Sequence, residues 1–350
     1  MVRERIGLSP LICVPVKADA YGHGALRIAA AAVEAGAACL GVSAVTEGAE
    51  LRNAGITVPI LLFSHPLPDE IPELVSLDLS PFAGDQEFID EAAQIAAGAG
   101  KTLKVHLKID TGMGRLGCRP EEAATLAARI ASHKSLVLAG TATHLAVSDS
   151  SGAEDMAYTT AQLARFREAV AAIRGAGLNP GILHAANSGA VIFHPDALFD
   201  MVRPGILLYG YSLDHGLPVE PVMELRTNIV FIKKVKKGET LSYGRIWTAP
   251  RDTMIATLPI GYADGLPRAL SGNWQVYIRG RPYPLTGRIC MDQCMADLGP
   301  ETDIPRWEEV TVFGGAAPGA DEIAARINTI PYEITCNINK RVPRIYVNEE

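Results

Sequence analysis

The sequence predicts an α/β protein in which an N-terminal TIM-type (β/α)8 barrel is followed by a mostly β C-terminal domain. Up to about residue 210, eight short runs that are apolar throughout alternate with alanine-rich stretches of helical spacing. After residue 220 the helical spacing almost disappears. A chain of 350 residues exceeds what one hydrophobic core usually fills, so two domains are expected. We place them at residues 1–220 and 221–350.

The predicted barrel strands are apolar on both faces, which is typical of parallel strands covered on both sides. They are Leu11–Val16, Cys39–Ser43, Pro59–Phe63, Leu77–Pro81, Leu103–Ile109, Leu136–Thr143, Gly181–Ala185 and Met201–Tyr209. Eight such strands alternating with helices favour a closed barrel over the alternative, a doubly wound open sheet.

Two of the intervening helices carry clear signals. Ser151–Gly175 has apolar side chains at three-, four- or seven-residue spacing and opens with the capping pattern Ser151-x-x-Glu154. Pro120-Glu121-Glu122 is typical of a first helical turn, because proline needs no N–H partner there and acids favour the positive end of the helix dipole.

The second domain is predicted to consist of short strands separated by glycine and proline turns, with one helix at about Ala320–Asn328. The strands are Thr227–Val235, Thr253–Leu258, Trp274–Ile278, Thr311–Phe313 and Ile345–Val347.

Composition excludes several classes of protein. Thirty-two basic against 39 acidic residues give a net charge of −7 with no basic run, so no nucleic-acid partner is expected. No stretch approaches the roughly 20 apolar residues that span a membrane. The six cysteines lie far apart, which indicates reduced thiols in a cytoplasmic protein, and no histidine completes a metal set around them. We expect no metal ion.

Lys17 is the first residue that points to chemistry. It ends the first apolar run, and catalytic groups of a barrel lie at the carboxyl ends of its strands. Partial burial lowers the pKa of a lysine, which favours a Schiff-base role. Gly22 and Gly24 flank a histidine just beyond and allow close approach of the backbone to a ligand.

These residues belong to a set of motifs that resembles the alanine racemase family along the whole chain. The first, Val16-Lys17-Ala18-Asp19-Ala20-Tyr21-Gly22-His23-Gly24, resembles the pyridoxal phosphate attachment segment of that family. The others are Lys108-Ile109-Asp110-Thr111-Gly112-Met113-Gly114-Arg115, Ala186-Asn187-Ser188, Val202-Arg203-Pro204-Gly205-Ile206, Leu241-Ser242-Tyr243-Gly244, Ile260-Gly261-Tyr262-Ala263-Asp264-Gly265, Gly287-Arg288-Ile289-Cys290-Met291-Asp292-Gln293 and Arg341-Val342-Pro343-Arg344.

The resemblance implies a cytoplasmic amino-acid racemase that uses pyridoxal 5′-phosphate and supplies D-alanine for cell-wall peptidoglycan. It also implies a head-to-tail homodimer whose active sites are shared between subunits. Lys17 would hold the cofactor, and Tyr243 of the other subunit would lie on its opposite face. Racemisation removes a proton from one face and returns one to the other, so two bases are needed, lysine for the D-enantiomer and tyrosine for the L-enantiomer.

The resemblance also assigns the cofactor contacts. Arg203 would face the pyridine nitrogen and, as a permanent cation, keep it unprotonated. His144 and Arg203 would be the supporting residues near Tyr243. The remaining matches to the cofactor pocket are Tyr21, Asn187, Ser188, Gly205 and Ile206.

The substrate contacts come from the same resemblance. In many family members the lysine that matches Lys108 is carbamylated by CO2, and the new negative group orients the arginine that matches Arg115. Without such a group or an anion such as Asp110, these two cations would repel each other. The residues implied for the substrate are Arg115, Met291, Asp292 and Tyr262, with Arg268 further out. His184 and His23 are expected to be hydrogen-bonded structural groups.

One position departs from the family. Typical members carry a tyrosine before Arg341-Val342-Pro343-Arg344, and here that position is Lys340. Serine racemases related to the family also lack the tyrosine. Alternatives to an alanine racemase are therefore a serine or broad-specificity racemase and a catalytically impaired homologue that binds the cofactor. A cofactor-homeostasis barrel lacks the second domain, and a related decarboxylase needs a cysteine-bearing motif that we do not find.

Overall fold

A computed structural model describes residues 1–212 and 217–347. The chain divides into two compact units. One contains Tyr21–His23, Tyr209–Tyr211 and the described residues from Glu220 onward, and the other contains the rest. We call them the β unit and the barrel unit. Residues 213–216 and 348–350, which fall inside the predicted domain ranges, lie outside the described residues.

The barrel unit contains a closed parallel barrel in which each strand pairs with the next and β1 pairs with β8. Its strands are β1 Leu11–Pro15, β2 Cys39–Val42, β3 Ile60–Leu62, β4 Leu79–Ala83, β5 Leu103–Lys108, β6 Leu136–Ala142, β7 Ile182–His184 and β8 Met201–Val202. The predicted barrel is confirmed, and the open doubly wound sheet is wrong. The register Leu11↔Met201 and Ile12↔Val202 closes the ring.

Helices alternate with these strands. They are α1 Val2–Ile6, α2 Lys17–Tyr21, α3 Ala25–Glu34, α4 Val45–Asn53, α5 Ile71–Ser76, α6 Gln86–Gly98, α7 Ala123–Ser132, α8 Ala153–Gly175 and α9 Ser188–Phe193. Apolar side chains pack inside, among them Leu145, Leu163, Val191 and Leu207. No helix among the described residues is long and apolar enough to cross a membrane.

Three sequence predictions in this unit need correction. The eighth strand ends at Val202 instead of Tyr209, and Ile206–Tyr209 forms a 3-10 helix, since Pro204 offers no N–H to a strand ladder. The long helix begins at Ala153 with Gly152 as its N-cap, so the capping box at Ser151 does not form. Pro120–Glu122 is a 3-10 turn that leads into α7.

The β unit contains three small antiparallel sheets with strand orders β10-β13-β16, β11-β12 and β15-β14-β17-β9. The strands are β9 Leu225–Asn228, β10 Phe231–Val235, β11 Thr240–Leu241, β12 Trp247–Thr248, β13 Thr253–Leu258, β14 Gln275–Ile278, β15 Arg281–Pro284, β16 Cys294–Gly299 and β17 Glu309–Phe313. Two helices follow, α10 Ala320–Ile327 and α11 Pro331–Cys336.

The β unit differs from its prediction in several places, and the strands β11, β12, β15 and β16 have no counterpart in it. The single strand predicted at Thr227–Val235 is two strands in different sheets, β9 and β10. Ile345–Val347 forms no strand, and the Tyr346 hydroxyl there donates to the carbonyl of His23. The helix α11 has no counterpart in the prediction, because six residues are too few to show a helical period.

Candidate active site

Lys17 follows β1 and opens a left-handed turn. Ala18, Asp19, Ala20 and Tyr21 have φ angles of 52°, 55°, 53° and 53°. Non-glycine residues avoid this region at a cost of roughly 1–2 kcal/mol each. The surroundings must hold such a turn in place, and strained backbone of this kind clusters at functional sites.

Two carboxylates stabilise the turn within the barrel unit. Glu47 accepts hydrogen bonds from the backbone N–H of Ala18 at 2.6 Å and of Ser43 at 2.7 Å. Asp19 accepts one from the N–H of Ala25 at 2.8 Å, which ties the turn to the start of α3. All three bonds are charge-assisted and therefore stronger than neutral ones. They fix the backbone immediately after Lys17.

Arg203 is buried and donates four hydrogen bonds or close contacts in the barrel interior. Its Nη1 lies 2.5 Å from Nδ1 of His184, and its Nη2 donates to the carbonyl of Thr143 at 2.7 Å. Weaker contacts reach Nδ1 of His144 at 3.4 Å and the carbonyl of Ala185 at 3.3 Å. Burial lowers the pKa of Arg203 to about 10. It therefore remains a cation at neutral pH.

His184, predicted to be a hydrogen-bonded structural group, lies between Arg203 and a second histidine. His106 Nδ1 is 2.8 Å from His184 Nε2. An arginine has only donors, so His184 accepts at Nδ1 and donates from Nε2 to His106. Burial lowers the pKa of His106 to about 3 and holds that of His184 well below its usual value. Both rings are therefore neutral.

Positive charge accumulates around His144 at the carboxyl ends of the barrel strands. Burial is the main cause that holds its pKa well below the usual value, followed by four neighbouring cations. Those cations are Arg203, Lys108, Arg115 and Lys17. The structure thus brings together, in the barrel unit, five residues that the sequence predicts for the site.

Lys108 is buried at the end of β5 and donates to the carbonyl of Ile109 at 3.1 Å. Burial, and then the charge of Arg203, lower its pKa to about 7. Asp110 partly opposes this shift, but its Oδ1 also accepts from the N–H groups of Gly112 and Gly114. The surroundings of Lys108 therefore favour its neutral amine far more than water does.

A second cluster of predicted residues surrounds the start of α9. Asn187 caps the helix by accepting from the N–H of Ala190 at 3.0 Å. The Ser188 hydroxyl oxygen accepts from the N–H of Gly205 at 2.9 Å and of Leu207 at 3.3 Å. Ile206 lies between these two donors and is buried. The loop after β8 is thereby held against Ser188.

In the β unit, Tyr243 is 72% exposed and lies in an unusual stretch of backbone. Ser242, Gly244 and Arg245 around it have φ angles of 65°, 71° and 51°. The Ser242 hydroxyl donates to the carbonyl of Arg288 at 2.8 Å. Backbone of this kind clusters at functional sites, and here it carries a tyrosine whose side chain is mostly exposed.

Tyr262, Met291 and Asp292, the other residues predicted for substrate, are adjacent in the β unit. The N–H of Tyr262 donates to the carbonyl of Cys290 at 3.1 Å, and that of Ala263 to the carbonyl of Met291 at 3.0 Å. This approach requires Gly261, because a Cβ there would lie 2.3 Å from the Cys290 and Met291 carbonyl oxygens. Arg268, predicted further out, is exposed in a 3-10 helix of the same unit.

Arg341 fixes this pair of loops, a role that its sequence motif did not indicate. Its Nε donates to Asp264 at 2.7 Å and its Nη2 to Asp292 at 2.8 Å. Asp264 Oδ2 in turn accepts from the N–H of Gly261 at 2.8 Å. Lys340, the departure from the family pattern, immediately precedes this arginine and is exposed.

Tyr21 belongs to the β unit, where it is buried beside two other tyrosines. Its ring centroid lies 4.8 Å from that of Tyr209 and 5.6 Å from that of Tyr332. Gly22 follows, with a φ of 83°, and a Cβ there would lie 2.0 Å from the carbonyl oxygen of Thr335. No side chain fits at this position.

A barrel with a basic cluster at the carboxyl ends of its strands, followed by a mostly β unit, defines a two-domain barrel enzyme. Residues 1–213 match the family model for the alanine racemase N-terminal domain, and residues 222–346 match that for the alanine racemase C-terminal domain. The chain belongs to the alanine racemase family. It is a racemase, and hence an isomerase.

Individual proteins agree with this assignment. The alanine racemase of Treponema denticola is 49% identical over 99% of this chain and 94% of its own length. The alanine racemase of Desulfovibrio desulfuricans is 44% identical over 96% of this chain and 91% of its own length. The crystal structure of alanine racemase from Streptomyces lavendulae, which produces D-cycloserine, has a TM-score of 0.93 and 36% identity over 100% of this chain and 93% of that one.

Proposed function

We propose that this protein interconverts L-alanine and D-alanine with pyridoxal 5′-phosphate as its cofactor. The observation that carries the proposal is the group of four cations around His144, one of which is Lys17 at the end of β1. The relatives that share the chain's full length are named alanine racemases, which supports alanine as the substrate.

The chemistry of this group fits the cofactor. Pyridoxal phosphate carries an anionic phosphate and a phenolic oxygen, and the amino-acid substrate adds a carboxylate. Lys17, Arg115 and Arg203 supply positive charge, and Lys108 adds to it when protonated. Asp110 is the acid that acts on Lys108. A negatively charged ligand would relieve this repulsion. When bound, the cofactor withdraws electrons from the substrate and makes its α-proton acidic.

Lys17 would hold the cofactor covalently, with help from contacts near α9. Ser188, Gly205 and Ile206 would contact the phosphate together with Tyr21, and Asn187 would keep the start of α9 in place through its cap. Arg203 would face the pyridine nitrogen. Since His184 and the Thr143 carbonyl already accept from Arg203, its orientation is set before a ligand arrives.

Proton transfer would use two bases on opposite faces. Lys17 would remove or return the proton on the D side, and Tyr243 on the L side, each acting as acid when the other acts as base. His144, which is neutral at working pH, would accept a hydrogen bond and orient this network. Arg115, Met291, Asp292 and Tyr262 would hold the substrate.

Lys108 would carry a carbamate formed from CO2. The neutral amine is the form that attacks CO2, and the lowered pKa of about 7 makes that form abundant at neutral pH. The product is an anion at a place where Arg203 and Arg115 disfavour a cation. It would orient Arg115 toward the substrate.

Two copies of the chain would share their active sites, with Tyr243 supplied by the other subunit. Exposed apolar side chains in the β unit support this arrangement, since large exposed apolar groups mark interaction surfaces. They include Tyr243, Ile246, Met291 and Tyr262, which are 72%, 50%, 53% and 42% exposed. The domain division at about residue 220 would separate the part that holds the cofactor from the part that completes the partner's site.

A serine racemase is the second candidate, and Lys340 is the observation that favours it. A pocket that lacks an aromatic side chain there could admit a hydroxymethyl group, and one such change alters discrimination by about 1–3 kcal/mol. In the cell, the enzyme would act in the cytoplasm, and its proposed product is the D-alanine used for peptidoglycan.

The test compares both substrates. The purified protein, supplied with pyridoxal phosphate, is incubated with L-alanine and L-serine in parallel, and D-enantiomer formation is followed. We expect a kcat/KM at least about 10-fold higher for alanine. Comparable turnover of serine would replace the alanine assignment, and no turnover of either would overturn the proposed function.

A further inference from the structure

Gln162 is a polar residue in the apolar stripe of α8 that faces the barrel. It is completely buried, as are Phe166 and Ile173 along the same face. The side-chain amide of a buried glutamine needs partners for its oxygen and its two N–H groups. Its partners lie in the loops that follow β5 and β6.

The hydrogen bonds of Gln162 fix the orientation of its amide. Oε1 accepts from the backbone N–H of Ala146 at 2.9 Å. Nε2 donates to the carbonyl of His144 at 3.2 Å and to the hydroxyl oxygen of Thr111 at 3.3 Å. A flipped amide would set N–H against N–H and oxygen against oxygen. Only one arrangement satisfies the site.

These contacts continue to the basic cluster. The Thr111 hydroxyl shares a hydrogen bond of 2.7 Å with that of Thr143, and the Thr143 carbonyl accepts from Arg203 at 2.7 Å. Thr111 also follows Lys108 by three residues, in the loop that leads to Arg115. The Gln162 side chain therefore connects the loops that follow β5 and β6. The first of these strands ends at Lys108, and the loop after the second contains His144.

We propose that Gln162 is a positioning residue that sets His144 and the Lys108–Arg115 loop relative to Arg203. It touches neither cofactor nor substrate. We call Gln162 and its partners Thr111, His144 and Ala146 the frame. The two bonds that Gln162 donates fix the loop that contains His144, the proposed hydrogen-bond acceptor, relative to the loop that follows Lys108, the proposed carbamate carrier. The inference rests on the proposed function for its catalytic consequence, while the frame itself is a property of the folded chain.

Two substitutions separate the parts of this frame. Gln162→Leu removes all three hydrogen bonds at nearly constant volume. Gln162→Glu keeps the acceptor for Ala146 and, at a pH at which the new side chain is ionised, sets a carboxylate oxygen against the His144 carbonyl, so both donated bonds are lost. Gln94→Leu, on the exposed face of α6, is the matched control.

The experiment uses the full chain loaded with pyridoxal phosphate. Steady-state kinetics on L-alanine give kcat and KM, and hydrogen exchange of the Ala146 amide reports on the frame. In Gln162→Leu we expect kcat to fall about 30-fold with KM within about 3-fold, because geometry changes and binding groups remain. The Ala146 amide should exchange about 10-fold faster. In Gln162→Glu the kcat should fall similarly, with Ala146 still protected.

Several outcomes would overturn the inference. A kcat within about 2-fold of wild type in Gln162→Glu would show that the donated bonds do not matter to the reaction. The inference would also fail if the loss of kcat only matched a loss of folded protein, measured by thermal melting. It would fail equally if Gln94→Leu lowered kcat by the same factor. If Gln162→Leu does not fold, Gln162→Glu carries the kinetic test. Should the wild-type chain form no D-alanine, the proposed function fails, and unchanged Ala146 exchange in Gln162→Leu would overturn the frame separately.

Discussion

Arg203 donates a hydrogen bond from Nη1 to Nδ1 of His184 at 2.5 Å in the interior of the barrel. Because the arginine can only donate, this contact fixes the tautomer of His184 and leaves its Nε2–H for His106. A cation and two neutral rings therefore form one directed chain of hydrogen bonds. Protonating either ring would place a second positive charge beside Arg203.

The histidines should make the folded state sensitive to acid. Below about pH 6.5 the histidines become protonated in the unfolded chain but stay neutral in the folded one. The free energy of unfolding therefore falls as pH decreases. For His106, with a folded pKa of about 3, this continues down to pH 3. His106→Leu should reduce the slope by about 1.4 kcal/mol per pH unit between these limits. Urea titrations at several pH values measure it, and an unchanged slope would refute the neutral assignment.

Lys108 should react with CO2 more completely as pH rises through about 7. The reaction joins the neutral amine to CO2 and releases one proton, so it follows the deprotonated fraction of the side chain. Equilibration with ¹³C-labelled CO2 should give a carbamate carbon signal that grows from about pH 6 to 8. The signal should vanish in Lys108→Met and persist in Lys104→Met, which alters an exposed lysine of the same strand. Its absence from the wild-type protein would contradict the carbamate proposal.

Glu47 should contribute more to the free energy of unfolding than Glu50, which lies on the same helix, α4. It accepts hydrogen bonds from the N–H groups of Ala18, Ser43 and Ala44, at 2.6, 2.7 and 3.2 Å. Removing a charged acceptor from such donors costs about 1–3 kcal/mol. We therefore expect Glu47→Ala to lower the free energy of unfolding by that amount and to weaken cofactor binding at Lys17. Glu50→Ala, at an exposed position, is the control, and equal effects of the two would show that Glu47 does not hold the turn.

Shared active sites should be detectable by mixing inactive variants. In the proposed homodimer, Lys17→Ala and Tyr243→Ala would each remove one proposed base from every site. A hybrid dimer would regain one complete site, so random re-association should restore about a quarter of wild-type activity. The assay compares D-alanine formation before and after the two variants are mixed and allowed to exchange subunits. No recovery, despite hybrids shown by native mass spectrometry, would place both bases on the same chain.

The sequence could predict the barrel because most of its strands are apolar on both faces, although β5 carries Lys104, His106 and Lys108 at alternate positions. It could not predict the end of β8 correctly, since the apolar residues Ile206–Tyr209 suit a 3-10 helix as well as a strand. The left-handed turn after Lys17 was also hidden. Its residues are alanine, aspartate and tyrosine, none of which signals positive φ as glycine does.

The site residues could be predicted because they belong to recognisable sequence motifs. The residues that hydrogen-bond to them or to their loops could not. Gln162 was visible as one polar residue in an apolar helix stripe, whereas His106 stands between Lys104 and Lys108 in its strand and gave no separate signal. Their partners lie far away in sequence, as His184 does from His106 and Thr111 from Gln162. Such pairing depends on the closed barrel, so a polar residue alone does not disclose its role.

The most direct test of two-base racemisation is solvent isotope incorporation during the first turnovers of L-alanine in ²H2O. If Tyr243 removes the α-proton and Lys17 supplies its replacement, the D-alanine formed carries deuterium at Cα while the remaining L-alanine keeps its protium. Mass spectrometry of the separated enantiomers gives both values. D-alanine that retains the substrate's own protium would mean that one group carried the proton between faces, which would contradict the account.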